Sequence, residues 1–252
     1  MCAEPGTATG MEGATHLILM SRAPLAGATK TRLSPPLTPE QAREFHAACL
    51  MDLIDEAARW QTSLVRVGRE LLCHLFITPE SSEAQFRRAG VTWPAQFRIR
   101  SQVGRSLGER MAHAISDARG QGSTEHREQP RVILAGSDLP LLSRVQWEAA
   151  LAALDKAQVV FGPAPDGGYY LIAMRTEPDG LFDLAAWGGA SVLADSLRAA
   201  ASRGRRTACI ETLPDADTFA DLRVIAAHPL AASLAHRRSV RLIRHWIEHD
   251  PD

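Results

Sequence analysis

The sequence predicts an α/β protein whose central sheet is mostly parallel and covered by helices on both faces. Short apolar runs of the length of a buried strand recur along the chain, at residues 16–20, 71–77 and 131–135 among others. Segments with helical periodicity separate these runs. Parallel strands need a long crossover, usually a helix, so this alternation favours a parallel sheet. Since no repeat or linker divides the chain, we expect one domain over residues 15–252, preceded by a flexible tail of residues 1–14.

Composition excludes several classes of protein. The chain has 252 residues, 45% of them hydrophobic and 23% charged, as in an ordinary soluble domain. Its formal net charge of −1 lacks the basic field of nucleic-acid binders. No apolar run approaches the roughly 20 residues of a membrane span. The first 14 residues do not have the pattern of a signal peptide. We therefore expect a cytoplasmic protein that binds neither nucleic acid nor membrane, while its oligomeric state is left open.

The cysteines are too far apart to form a metal-binding or redox pair. No C-x-x-C spacing occurs among them, which argues against a zinc site and a disulfide framework and suits a reducing compartment. The four residues are Cys2, Cys49, Cys73 and Cys209.

The first half of the chain divides readily into elements. After the strand at 16–20, Thr38 and Gln41 form a capping box with Pro39 at the first helical position, so a helix should run over 38–60. A strand at 71–77, a short helix at 82–89 and an extended piece at 97–100 follow. Another helix should run to about residue 118, before an exposed polar loop over 120–130.

The second half repeats the alternation. The strand at 131–135 leads to a helix over 143–154, which Ser143 and Gln146 open as a second capping box. Strands at 158–162 and 169–174 flank a Gly-rich loop. A helix at 190–202, a strand at 206–211 and a helix from 218 complete the pattern. Residues from about 228 to 252 read as an amphipathic helical appendage packed on the body.

The loop after the first strand has the chemistry of a phosphate site. Pro24 and Gly27 break the apolar pattern, and Lys30 and Arg32 follow. In open α/β sheets ligands bind at the carboxyl ends of strands, and both cations suit phosphate oxygens. The pattern is neither the dinucleotide fingerprint nor the P-loop. A surface loop with solvated charges is the alternative.

Asp138 follows the strand at 131–135 directly, in the segment Gly136-Ser137-Asp138-Leu139-Pro140. Mg²⁺ binds through one or two carboxylates together with substrate phosphates, so this position suits a hard cation. Alternatively, Asp138 only hydrogen-bonds the turn before the helix that begins near Ser143.

A turn with two glycines, Asp166-Gly167-Gly168-Tyr169, joins two predicted strands. It is either a plain hairpin turn or a place where backbone approaches a ligand beside a carboxylate and a phenol. The motif alone does not separate these alternatives.

Three further groups of polar residues are ambiguous. Asp217 lies at a helix start, where it favours the helix dipole, but Asp215 or Asp217 could also complete a metal site with Asp138. Glu109 and Arg110 form either an ion pair or a substrate contact. The nine histidines show no ligand spacing, so we treat them as structural or exposed.

Taken in order, these motifs resemble a bacterial family of nucleotide-diphospho-sugar-transferase-like proteins, which includes candidate glycosyltransferases and members linked to arsenosugar biosynthesis. The resemblance covers roughly residues 16–225. Its first half consists of Ala23-Pro24-x-x-Gly27-x-x-Lys30-Thr31-Arg32-Leu33, Leu107-Gly108-Glu109-Arg110-Met111 and Gly136-Ser137-Asp138-x-Pro140. Its second half consists of Gly162-Pro163-Ala164-x-Asp166-Gly167-Gly168-Tyr169-Tyr170-Leu171, Trp187 and Asp215-x-Asp217-Thr218.

The resemblance implies a GT-A type fold, a Rossmann-like α/β/α sandwich whose first loop holds a nucleotide diphosphate. The same fold and similar motifs occur in 2-phospholactate and molybdenum cofactor guanylyltransferases. It implies a divalent metal, Mg²⁺ or Mn²⁺, at Asp138 with Asp217 as a second acid. It assigns the nucleotide and its phosphates to Ala23, Pro24, Gly27, Lys30, Arg32 and Ser137. It assigns the sugar or acceptor to Glu109, Arg110, Gly167, Gly168, Tyr169 and Trp187, with Asp138 and Asp166 as catalytic carboxylates.

Two departures from the family pattern bear on the reaction. Gly188 follows Trp187 where relatives have a hydroxyl residue, and Ala216 replaces a β-branched residue. We expect a metal-dependent glycosyltransferase that moves a sugar from a nucleotide-diphosphate donor to a small-molecule acceptor. A nucleotidylyltransferase releasing pyrophosphate is the second alternative, and a non-catalytic nucleotide-binding module the third. Base, sugar and acceptor are left open.

Overall fold

The computed structural model describes residues 13–79, 82–120 and 129–249. Its centre is a seven-stranded sheet with the order β3-β2-β1-β4-β6-β5-β7. Only β6 runs antiparallel to its neighbours. The strands are β1 (Thr15–Arg22), β2 (Leu71–Thr78), β3 (Arg98–Ser101), β4 (Arg131–Gly136), β5 (Val159–Pro163), β6 (Tyr169–Met174) and β7 (Thr207–Cys209).

Helices cover both faces of this sheet. They are α1 (Pro39–Val65), α2 (Glu83–Arg88), α3 (Leu107–Arg119), α4 (Arg144–Leu154), α5 (Val192–Ser202), α6 (Phe219–Ala227), α7 (Pro229–Ser233) and α8 (Arg238–Glu248). A single 3-10 turn, Thr31–Leu33, lies in the loop between β1 and α1. The predicted α/β fold with a mostly parallel sheet is confirmed.

Successive side chains of the strands point to opposite faces of the sheet and so contribute to two separate hydrophobic cores. On one face, α1, α4 and α8 bury a large cluster in which the rings of Trp60 and Trp147 stack with centroids 5.5 Å apart. On the other face, α3 and α5 bury a smaller cluster that includes Met111 and Ile115. This two-faced burial explains why the central strands are apolar on both sides.

Most predicted elements are present, with shifted ends. Helix α1 continues five residues past the predicted end to Val65, and β7 covers only three residues, Thr207–Cys209, of the predicted 206–211. Gly13 and Ala14, which we assigned to the tail, are buried, and the Ala14 carbonyl accepts a hydrogen bond from the Arg131 amide. Residues 1–12 of the predicted tail, and 121–128 of the predicted loop, lie outside the described residues.

The C-terminal segment packs on α1. Both carboxylate oxygens of Asp52, a buried residue of α1, accept backbone N–H bonds from Arg238 and Ser239 at the start of α8. The buried Arg237 donates to the carbonyls of Pro140 and Leu142, at 3.0 and 2.6 Å. The segment therefore supports the loop that follows β4. No helix among the described residues has the length and apolar character needed to cross a bilayer.

The sheet topology places the site. Strand β1 pairs with β2 on one side and with β4 on the other, so the strand order reverses at β1. Ligands of open α/β sheets bind beyond the carboxyl ends of the strands at such a reversal. The loops that follow β1 and β4 meet there. The hairpin between β5 and β6 reaches the same edge because β6 runs in the opposite direction.

Candidate functional site

A cleft of about 820 Å³ opens at this edge of the sheet. Its walls come from five loops, which follow β1, β3, β4, β6 and β7, and from the hairpin between β5 and β6. A volume of that size suits a ligand larger than a single sugar or phosphate. The cleft brings together ten of the residues that the sequence assigned to the site. They are Lys30, Arg32, Arg110, Ser137, Asp138, Asp166, Gly168, Tyr169, Trp187 and Asp217.

Lys30 lies at the centre of the site. Its ammonium nitrogen is 2.9 Å from Asp138 Oδ2 and 2.9 Å from Asp217 Oδ1, and its side chain is only 6% exposed. Burial alone would lower the pKa of Lys30, but the two carboxylates outweigh burial and raise it above the usual value. Lys30 is therefore a fixed positive charge shared by two acids from distant parts of the chain.

The conformation of the first loop delivers that ammonium. The backbone of Lys30 is left-handed, with φ 52° and ψ 37°, a region that residues other than glycine seldom adopt. A turn at Gly27, closed by bonds from the Ala28 and Thr29 amides to the Leu25 carbonyl, precedes it. The 3-10 turn Thr31–Leu33 follows and buries Leu33. The loop is therefore held between two tight turns.

Asp138 has protein donors on both carboxylate oxygens. Oδ2 contacts Lys30, while Oδ1 lies 3.3 Å from His46 Nε2 and accepts a bond from Ser137 Oγ at 3.3 Å. Burial opposes ionisation of Asp138, but the Lys30 ammonium, aided by the hydrogen bond from Ser137, lowers its pKa to about 2. Asp138 is thus an anion throughout the physiological range, although 38% of its side chain faces solvent.

His46 of α1 is buried behind Asp138, at the base of the cleft. Its Nε2 lies 3.2 Å from Ser21 Oγ and 3.1 Å from Ser137 Oγ. Burial lowers the pKa of His46, so the ring is neutral near pH 7. We had treated the histidines as structural or exposed, and for His46 the structure shows a buried contact with Asp138. Only the packing of α1 against β1 and β4 reveals this, because His46 has no ligand spacing in the sequence.

Asp217 is tied to both cations of the first loop. Its Oδ1 contacts Lys30, and its Oδ2 accepts a bond at 3.2 Å from Arg32, whose side chain is 70% exposed. Thr218 and Asp221 form the capping box at the start of α6. The Asp217 side chain therefore does not cap the helix and instead lines the cleft.

Asp215 has an unusual environment for an acid. Burial, with the nearby charges of Asp217 and Asp166, raises its pKa to about 6. Three carboxylates thus approach one another along this wall of the cleft.

The hairpin and the segment around Trp187 form an aromatic wall. The ring of Tyr169 packs edge-on against Trp187 with centroids 6.5 Å apart. The Tyr169 hydroxyl is buried, so the ring rather than the hydroxyl faces the cleft. Asp166 Oδ1 accepts a bond at 2.8 Å from the Gly168 amide, which fixes the carboxylate on the turn. The motif is thus both a hairpin and part of the site.

Three further arginines line the cleft, namely Arg22, Arg105 and Arg110. The Nε of Arg110 donates to the Gly104 carbonyl at 3.0 Å, which anchors this side chain. The amide side chain of Gln102 donates to the carbonyls of Ser21 and Phe76 and ties the loop after β3 to β1. The sequence had singled out only Arg110 here. Arg22 and Arg105 are brought in by the adjacency of β1, β2 and β3.

Five predicted site residues do not line the cleft but support its loops. Ala23 and Pro24 are buried, and Gly27 forms the turn before Lys30. The Glu109 carboxylate accepts a bond from the Arg105 amide at 2.7 Å instead of facing a ligand. Gly167 has φ 87° and packs so closely on Ala190 that no side chain would fit. These residues act on the site through the backbone they shape.

Asp138 and Asp217 offer the kind of oxygen donor that a hard divalent cation prefers. Of the carboxylates that line the cleft, they are the pair that shares the Lys30 ammonium, which lies between them as a stand-in cation. Mg²⁺ often takes only one or two protein carboxylates and completes its shell with water and phosphate. The pair therefore fits such an ion by chemistry. Among the described residues, no three His, Cys, Asp or Glu side chains converge on one metal position.

Comparisons with known proteins agree with the fold and the motifs. Residues 65–189 match the model of a family described as "Uncharacterized protein conserved in bacteria (DUF2064)". A solved candidate nucleotide-diphospho-sugar transferase from Desulfovibrio desulfuricans G20 is 27% identical, with a TM-score of 0.77 over 93% of this chain and 95% of that one. None of the curated proteins matches the chain.

A more distant solved structure shares the fold alone. The bifunctional IspDF from Campylobacter jejuni is 12% identical, with a TM-score of 0.51 over 83% of this chain and 53% of that one. The match to the Desulfovibrio protein confirms the resemblance to nucleotide-diphospho-sugar-transferase-like proteins that the sequence motifs indicated.

Proposed function

We propose that this protein is a transferase that moves a sugar from a nucleotide-diphosphate donor to a small-molecule acceptor. One observation carries the proposal: the buried Lys30 ammonium joins Asp138 and Asp217 at the carboxyl edge of β1 and β4, beside an 820 Å³ cleft. A buried cation and two partly exposed acids, at the point where the strand order reverses, suit a diphosphate and its counter-ion. The likeness to a candidate nucleotide-diphospho-sugar transferase supports the same class of donor.

The cations of the first loop would carry the electrostatic part of the reaction. The bond that breaks joins the sugar carbon to a phosphate oxygen, so negative charge develops on the departing nucleoside diphosphate. Lys30 and Arg32 would neutralise that charge, because both cations lie in the loop that the proposal assigns to the diphosphate. A divalent cation held by Asp138 and Asp217 would supply further stabilisation of the leaving group.

The hairpin wall would bind the sugar and the acceptor. Tyr169 and Trp187 present ring surface, while Asp166 holds a carboxylate on the same turn. A sugar ring stacks its C–H face on aromatic rings, and a carboxylate can accept the proton that the acceptor hydroxyl loses. We assign that proton to Asp166.

The experiment has two stages. Thermal melting of the full chain with nucleotide sugars and nucleoside triphosphates, with and without Mg²⁺ or Mn²⁺, identifies the donor, because a specific ligand stabilises the folded state by mass action. The stabilising donor is then incubated with acceptor mixtures and the products are measured. Release of nucleoside diphosphate that Asp138→Asn abolishes supports sugar transfer. Pyrophosphate release that depends on Asp138 overturns it.

A second function, nucleotidyl transfer, is favoured by the three further arginines that line the cleft. That reaction needs cations for a triphosphate and for a phosphorylated acceptor, and Arg22, Arg105 and Arg110 add three to Lys30 and Arg32. The double variant Arg105→Ala/Arg110→Ala separates the two functions. A large loss of affinity for a phosphorylated acceptor supports nucleotidyl transfer, whereas unchanged affinity for a nucleotide sugar and its acceptor supports sugar transfer.

A further inference from the structure

The two acids assigned to the cation have no carboxylate oxygen without a protein donor. Asp138 Oδ2 and Asp217 Oδ1 are each 2.9 Å from the same ammonium. Asp138 Oδ1 contacts His46 and Ser137, and Asp217 Oδ2 contacts Arg32. A divalent cation that binds both acids therefore meets a protein donor on every oxygen that it could take.

Lys30 is the donor that contacts both acids and would obstruct a cation bridging them. An ion bridging the acids must approach oxygens to about 2.0–2.6 Å, and the ammonium already occupies the space between them. Within this group of four side chains the charges balance without a metal, because Lys30 and Arg32 match Asp138 and Asp217. A divalent ion that bridged the acids while the ammonium stayed would bring two cations into direct contact, which their Coulomb repulsion disfavours.

We propose that Lys30 is an internal competitor of the divalent cation, holding the position between Asp138 and Asp217 until phosphate groups in the cleft draw its ammonium away. This inference rests on the proposed function for its cation and its phosphate ligand. It makes metal binding and nucleotide binding mutually dependent: phosphate offers the ammonium a new partner, and the departing ammonium frees the two carboxylates.

The geometry of Lys30 allows such an exchange. Its backbone is fixed by the turns on either side, while four methylene groups separate the ammonium from that backbone. Both acids are partly open to the cleft, with 38% and 41% of their side chains exposed, so an incoming ion can reach them. A lysine side chain turns about its stem without any change of fold.

The test measures Mn²⁺ binding to the full chain by electron paramagnetic resonance, with no nucleotide present. Lys30→Met removes the ammonium and should tighten Mn²⁺ binding by about tenfold to a hundredfold, the factor that corresponds to one charge-assisted hydrogen bond. Arg32→Met is the matched control, because it removes an equal charge that also contacts Asp217 but does not lie between the acids. It should tighten binding far less.

Each other outcome overturns the proposal. Unchanged or weaker Mn²⁺ binding in Lys30→Met means that the ammonium does not compete. Equal tightening in both variants means that only total charge matters. No Mn²⁺ bound by any variant removes the competition but leaves sugar transfer to be judged by its products, so the two failures are distinguishable.

A second variant covers the case in which Lys30→Met does not fold. The amide of Lys30→Gln keeps hydrogen-bond donors near the two acids but carries no charge, so Mn²⁺ binding should again be tighter than in the unaltered protein and in Arg32→Met. Unchanged or weaker Mn²⁺ binding in Lys30→Gln overturns the proposal.

Discussion

Gly108, in the first turn of α3, lies directly against the indole of Trp187. A Cβ atom added to Gly108 would stand 2.8 Å from Trp187 Cζ2 and 2.9 Å from its Nε1. Real side chains do not approach so closely, so the aromatic wall of the cleft keeps its position only because residue 108 has no side chain. The Gly in the Leu107–Met111 motif thus serves the site through a neighbour distant in sequence.

Gly108→Ala should therefore destabilise the protein and displace Trp187. Alanine normally stabilises a helix relative to glycine, but the steric conflict should reverse that sign and cost about 1–3 kcal/mol. Urea denaturation measures the loss, and ligand affinity measures the displacement. Gly189→Ala is the control, because that glycine also lines the cleft and has no atom within 4 Å of an added Cβ. If Gly108→Ala were more stable than the parent protein, the predicted steric conflict with Trp187 would be wrong.

Asp138→Asn should abolish transfer and also lower stability. We expect a drop of about 1–2 kcal/mol in the free energy of unfolding, because the buried Lys30 ammonium loses one of its two charged partners. On sequence alone, a carboxylate kept for a metal would leave the melting temperature unchanged or higher when neutralised. The Lys30 contact changes that expectation. A calorimetric melt at neutral pH distinguishes the two, and a raised melting temperature would contradict the contact.

Arg32→Ala should weaken nucleotide binding with little effect on the fold. The side chain is 70% exposed and contacts Asp217 at 3.2 Å, so it contributes little to stability and is available to phosphate. Loss of one charge-assisted hydrogen bond corresponds to about 1.5–3 kcal/mol of binding free energy. Isothermal titration with the donor measures it. Lys156→Ala, another exposed cation, should leave affinity unchanged, and equal losses in both variants would point to a general charge effect.

A buried histidine pair should make stability fall as the pH falls from about 6.5 to 4. His16 Nδ1 lies 3.0 Å from His74 Nε2 inside the sheet. Burial, aided by Arg98, lowers the pKa of His16 to about 4; burial, followed by His16 and Arg98, lowers that of His74 to about 3. In this window the unfolded state binds more protons than the folded state, so protons favour unfolding.

Urea denaturation at pH 7 and pH 4.5 tests this dependence. The free energy of unfolding should fall by on the order of 1.4 kcal/mol for each pH unit between the unfolded-state pKa and the lowered pKa of each histidine, counting only the units that lie between pH 7 and pH 4.5. His74→Gln keeps a hydrogen-bonding side chain beside His16 and removes one titrating group, so its stability should depend less on pH. His113→Gln, at an exposed position of α3, should behave like the parent. If the free energy of unfolding of the parent protein did not change between pH 7 and pH 4.5, the prediction that protonating this pair destabilises the fold would be wrong.

The sequence was sufficient wherever local chemistry decides the structure. Thr38 and Ser143 each form the capping box that their spacing predicted, because the partners lie three residues away on the same turn. The apolar runs became the strands of the sheet because no other arrangement buries both of their faces. Lys30 and Asp138 could be named as site candidates because each lies in a loop that follows a strand, and the carboxyl ends of parallel strands share an edge of the sheet.

Only the tertiary structure decided which charges meet and which residues face the cleft. That the Lys30 ammonium joins Asp138 to Asp217, and that His46 lies behind them, depends on β1 pairing with β4 and on how α1 packs, which no local spacing encodes. The same holds for Arg22 and Arg105, which the neighbouring strands bring into the cleft. Residues distant in the chain are brought together by burial of the apolar core, and the contacts between their polar groups follow from that packing rather than from sequence pattern.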